Sequence, residues 1–110
     1  MSGTISFASG FTSSDSTLYK VGNIATVVIF GYFSSKNITS RTLIATLPTG
    51  FRPVNIIRIT GCGASSHTSS LDRVVTGYID KSGNVNMGDY VSDSSGTKDV
   101  CVTESFVVSG

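Results

Sequence analysis

Few residues in this chain are able to do chemistry: one histidine, His67, two cysteines, Cys62 and Cys101, seven carboxylates and eight lysines or arginines among 110 residues. His67 lies in a hydroxyl-rich run, 64–70, that leads into Leu71-Asp72-Arg73. An imidazole, a carboxylate and a guanidinium close together offer directed hydrogen bonds to sugar hydroxyls or to phosphate. Asp89 and Tyr90, with Asp93 just beyond, combine acceptors with an aromatic platform for a sugar ring. The plainer reading of the same residues is an exposed loop histidine, a solvated ion pair and an edge-strand tyrosine. The ligand-binding candidates are therefore His67, Asp72, Arg73, Asp89 and Tyr90.

Catalytic patterns are missing. No Gly-x-Ser-x-Gly elbow, HExxH pair, EF-hand loop, P-loop or GxGxxG occurs. Gly61-Cys62-Gly63-Ala64 is a glycine-rich fragment without the Lys-Ser/Thr ending that would hold phosphate. Most of the acids sit beside Ser, Gly or Lys in turns, and no pair of them is favoured for glycosidase work. The two cysteines match no zinc spacing and make no disulfide framework. They read as small, buried free thiols. The expectation is a chain that is not an enzyme and needs no cofactor or metal.

A formal net charge of +1 without a basic stripe argues against nucleic acid as a partner. The first ten residues carry neither a basic n-region nor an apolar h-region, so they do not read as a signal peptide. The longest apolar run, 27–33, is too short to span a bilayer, so no membrane insertion is expected. Asn37-Ile38-Thr39 matches a glycosylation sequon and is read as accidental.

The elements that must position these residues are strands. Ser and Thr together number 32, Val 12 and Ile 9, while Leu and Ala are four each and Trp is absent. That is a β composition. Strands are predicted at 4–8, 17–21, 23–34, 41–47, 54–61, 71–80, 84–90 and 100–108, in one domain over 1–110. Lys81-Ser82-Gly83-Asn84 reads as a hairpin turn, and 12–16, 65–70 and 92–96 read as polar loops. Arg52, between Phe51 and Pro53, reads as a structural arginine pairing with a carboxylate to fix a rigid turn. Eight short strands at this spacing indicate an all-β sandwich or barrel.

In 100–108 one face is apolar, whereas 23–34 is apolar on both: Ile24, Val28, Phe30 and Tyr32 oppose Ala25, Val27, Ile29 and Phe33. A small sandwich has water on both outer faces, so a doubly apolar strand needs another cover. The charged fraction is only 14%, below the roughly 25–35% typical of a soluble surface. Both observations predict an oligomer, with a copy of the same chain as the simplest cover.

The heptapeptide Leu47-Pro48-Thr49-Gly50-Phe51-Arg52-Pro53 resembles a pattern of bacteriophage tail-fibre and receptor-binding proteins, Leu-Pro-x-Gly-(Phe/Tyr)-Arg-Pro between two strands. Residues 18–27 resemble the Gly-Asn-ψ-Val strand of such domains and 77–85 their hairpin, so the likeness spans roughly 18–87. It implies the C-terminal head of a phage or prophage tail-fibre or baseplate protein. Such a head is an antiparallel β-sandwich of about eight strands, jelly-roll-like, assembled as a homotrimer and without catalytic activity. It attaches the virion to host cell-surface or cell-wall saccharide and meets other virion tail proteins. The implied location is the phage tail tip, after synthesis in the bacterial host cytoplasm. Receptor sites vary among such heads, so no site residue carries over, and the tryptophan some of them use is absent here. A purely structural tail or baseplate protein and a cellular carbohydrate-binding module are the alternatives.

Overall fold

Alternation of apolar with polar or small residues, broken by Gly, Asn and Asp, organises the chain into strands. The computed structural model describes residues 1–65 and 70–108. They form β1 (Ser6–Phe7), β2 (Phe11–Val21), β3 (Ile24–Phe33), β4 (Thr42–Thr46), β5 (Ile57–Ala64), β6 (Arg73–Ile79), β7 (Asn84–Val91) and β8 (Asp99–Val107). All eight join one antiparallel sheet in the order β1-β4-β7-β6-β5-β8-β3-β2. His67 lies outside the described residues.

The sheet is nearly closed by the first eight residues, which reach both of its ends. Ser2 bridges to Tyr19 on β2, and the Gly3 amide donates to the Leu18 carbonyl at 3.0 Å. A few residues on, β1 pairs with β4, and the Ala8 amide donates to the Ile44 carbonyl at 2.9 Å. A single short segment thereby covers the edges that β2 and β4 would otherwise present to other chains.

Side chains on the inner face make one core. Val27, Ile29, Phe33, Ile44, Leu47, Val75, Ile79, Val85, Met87 and Val100 are fully buried there. Phe11 packs edge-on against Phe33 at 5.1 Å between ring centres and stacks with Phe7 at 5.7 Å. β8 behaves as its alternation predicts, with Val100, Val102 and Phe106 inside and Thr103, Ser105 and Val107 outside. β3 buries Ala25, Val27, Ile29 and Phe33 and turns Val28, Phe30 and Tyr32 outward, where they are half-buried.

The Leu47–Pro53 motif is a packed corner. Leu47 and Phe51 are buried, and the Phe51 amide donates to the Pro48 carbonyl at 3.1 Å. Gly50 takes a φ of 92°, which a side chain would oppose. Arg52 does stabilise the turn, but its Nε donates to the Leu47 carbonyl at 3.0 Å, not to a carboxylate. On the other side Lys20 donates to the Gly50 carbonyl at 2.8 Å and lies over the Phe51 ring at 4.8 Å.

Two strand boundaries also need correction. Residues 12–16 are strand, not loop: as part of β2 they pair with β3, with a register shift between Ser13 and Asp15. Ser and Thr fit a strand whose outer face meets water, so hydroxyl-rich sequence alone does not mark a loop. The strand predicted at 54–61 begins at Ile57 and runs to Ala64. Pro53 has no amide to continue a ladder, and the chain bends after Val54 donates to Val107.

Candidate functional site

A bulge builds the most prominent polar cluster. Between β6 and β7, Thr76 pairs with Tyr90 while the next residue, Gly77, pairs with Met87, so Gly88 and Asp89 fall out of register. Bulges of this kind re-aim side chains and are common beside binding sites. Gly88 has a φ of 102°, and a Cβ there would collide with the Ser40 carbonyl. Only glycine fits, and the chain delivers Asp89 to the outer face.

Two arginines converge on Asp89. Arg41, just before β4, donates from Nε to Asp89 Oδ1 at 2.9 Å. Arg58 on β5 places Nη1 3.6 Å from Asp89 Oδ2. Tyr78 on β6 lies beneath both guanidiniums, whose central carbons stand 4.9 Å (Arg41) and 5.5 Å (Arg58) from the ring centre. Arg58 and Tyr78 are direct ladder partners, so β-register alone brings them together. The hydrogen bond to Asp89, then its charge, then Tyr78 raise the Arg41 pKa above its ordinary value.

The charge balance decides what this cluster can do. Two guanidiniums share one carboxylate, and both are well exposed, at 60% and 72% of the side chain. One positive charge is therefore uncompensated, on a planar donor group stacked over an aromatic ring. Exposed contacts of this kind contribute little to stability, so the guanidiniums are not tied up by the fold. Tyr90, beside the bulge, is 57% exposed. The arrangement is a flat platform of donors and aromatic faces. No pocket indents the surface of the described residues.

Asp72 and Arg73 occupy a separate place at the start of β6. Asp72 is exposed, with Oδ1 3.9 Å from Arg73 Nε. Arg73 turns toward the 92–96 loop: Nη1 donates to the Gly96 carbonyl and, at 3.3 Å, to Ser95 Oγ, and Nη2 lies 3.4 Å from Asp93. Its side chain is only 14% exposed. Asp93 in turn accepts from the Ser95 hydroxyl at 2.6 Å and the Ser95 amide at 2.9 Å. These bonds hold the loop.

Those two Ser95 bonds, hydroxyl first, and then Arg73 lower the Asp93 pKa below its ordinary value. A depressed folded-state pKa contributes stability above the unfolded value of about 3.9, and that contribution is lost as pH falls through the folded value. Amide exchange of Ser95 and Gly96, corrected for intrinsic rate, is therefore expected to stay slow at pH 5–7 and to quicken below about pH 4. Asp93→Asn is expected to remove that acid step.

Of the sequence candidates, Asp89 joins the arginine cluster and Tyr90 follows it, exposed, on β7; Asp72 and Arg73 lie apart from them, and His67 is outside the described residues. Arg41, Arg58 and Tyr78 were missed. A weak signal existed for Arg58, a charge within an apolar strand, and for Tyr78, which alternates with Val75 and Ile79. Nothing in the sequence linked Arg41 to either.

No family model matches the sequence, and no curated protein matches it. Among solved structures, the receptor binding protein gp15 of Listeria phage PSA has the same fold, with a TM-score of 0.67 and 17% identity over the whole of this chain. The chain spans 66% of that protein's length.

Proposed function

We propose that this chain is a non-catalytic receptor-binding domain that attaches a phage virion to a saccharide of the host cell surface or cell wall. The observation that carries the reading is the likeness in fold, over all of this chain and 66% of the other, to a phage receptor binding protein, which is independent of the Leu47–Pro53 resemblance in the sequence. The outer platform of Arg41, Arg58, Tyr78, Asp89 and Tyr90 supplies the contact surface. Guanidinium and carboxylate groups make directed bonds to hydroxyls, the rings take the apolar faces of sugars, and the surplus positive charge favours acidic substituents.

A flat site of this size binds weakly, so attachment relies on several copies acting together. A homotrimer provides them. The outward side chains Val28, Phe30 and Tyr32, with Ile24 and Val107 nearby, give an apolar surface for a second copy to cover. Within each copy the single sheet wraps the core in the manner of a jelly-roll-like sandwich. The assembled head would sit at the tail tip, in contact with other tail proteins. A purely structural tail role is the second reading, favoured by the lack of a pocket among the described residues.

The test is direct. Fluorescently labelled protein is expected to bind cells and purified wall glycans of a susceptible bacterium saturably, with binding lost after periodate oxidation of the sugars. Sedimentation is expected to give three times the 11.5 kDa chain mass. Absence of binding to every host tried would leave the structural reading, and a monomer would overturn the trimer.

A further inference from the structure

Cys62 on β5 and Cys101 on β8 are direct partners in the antiparallel ladder. Gly63, Val100 and Val102 beside them are buried, while both cysteines are partly exposed. The two thiols thus stand at facing positions on the outer side of the sheet, unlike the separate buried thiols expected from the sequence. Directly opposed residues in such a ladder have Cα atoms about 4.5–5.5 Å apart, within the span of about 4.4–6.8 Å that a disulfide bridges. Burial raises the Cys101 thiol above its ordinary range, and the neighbouring Cys62 thiol raises it further by charge and hydrogen bonding.

We propose that Cys62 and Cys101 are a paired modification site, a dithiol that a small-molecule disulfide such as oxidised glutathione converts to an intrachain disulfide joining β5 to β8. One cysteine thiolate attacks a sulfur of the reagent, forming a mixed disulfide and releasing one glutathione thiolate. The second cysteine thiolate then attacks the protein-bound sulfur and releases the other glutathione. The protein loses two protons and two electrons, and the reagent is reduced to two thiols.

The position gives the bond its consequence. β5 meets β8 only over 62–64 and 99–101, whereas β3 meets β8 from Ile24 to Tyr32. Apart from the closing segment 1–8, this short join is the ladder that holds β4, β7, β6 and β5, with the arginine platform, to β8, β3 and β2. A covalent link there closes a long loop through β6 and β7, which restricts the unfolded chain most.

Reduced, desalted protein is incubated with oxidised glutathione, and its intact mass and melting temperature are measured. The expected product is a single covalent chain lighter by two hydrogens, without adducts, melting about 10 °C above the reduced form. Cys62→Ser and Cys101→Ser are each expected to take one glutathione and show no such rise. The wild-type mass stands as a test even if either variant folds poorly. A doubly glutathionylated chain, a disulfide-linked dimer, an unchanged mass or a bond that leaves the melting temperature unmoved overturns the proposal.

Discussion

Removing residues 1–8 is expected to lower the melting temperature by roughly 20 °C or to abolish cooperative unfolding. The segment lays Ile5 and Phe7 against the core and makes backbone bonds to Leu18, Lys20 and Ile44. Two half-buried apolar side chains contribute about 1 kcal/mol each or somewhat more. Each backbone bond adds about 1 kcal/mol. The total, of order 5 kcal/mol, is comparable with the whole net stability of a small domain, roughly 5–15 kcal/mol. The loss would also expose β2 and β4 as free edges, so the shortened chain is expected to aggregate. Thermal melting by circular dichroism, with light scattering, checks this; a melting point within about 5 °C of the full chain would show that the sheet holds without its closing segment.

The second large effect concerns the platform. Arg41→Ala combined with Arg58→Ala is expected to weaken cell binding by about 100-fold or more while leaving the melting temperature within about 2 °C. Each arginine offers charge-assisted hydrogen bonds in a bound complex, and losing both sets amounts to roughly 100-fold at one site. Avidity across copies enlarges the loss. Stability should hardly change, because exposed ion pairs and ring contacts contribute little. Titration of labelled protein on host cells measures the first quantity and thermal melting the second. Asp89→Ala discriminates further: it frees both guanidiniums, so a purely electrostatic contact would strengthen, whereas a contact needing the carboxylate as acceptor would weaken.

The strand content was legible because it depends on local chemistry. Val, Ile and Thr at period two, with Gly, Asn and Pro between, predict eight strands, and each has a counterpart in the fold. Alternation also gave the inner face of β8 and the two apolar sides of β3. The 12–16 run misled because serines and threonines are equally at home in loops and on strands wetted on one side. Only the pairing with β3 separates the two.

What sequence by itself determined was composition-level and short-range: an all-β chain, the strand positions, the 81–84 hairpin, and the tight corner at Leu47–Pro53. The 14% charge and the doubly apolar β3 also raised the question of what covers the outer surface. The tertiary structure decided which residues meet. Arg41, Arg58, Tyr78 and Asp89 come from four different strands or their ends, and Cys62 faces Cys101 across residues far apart in the chain. Such meetings follow from strand order and register, including the slip at Gly88 that turns Asp89 outward. Strand order is set by the packing of the whole core, a global minimum that no local window of sequence encodes.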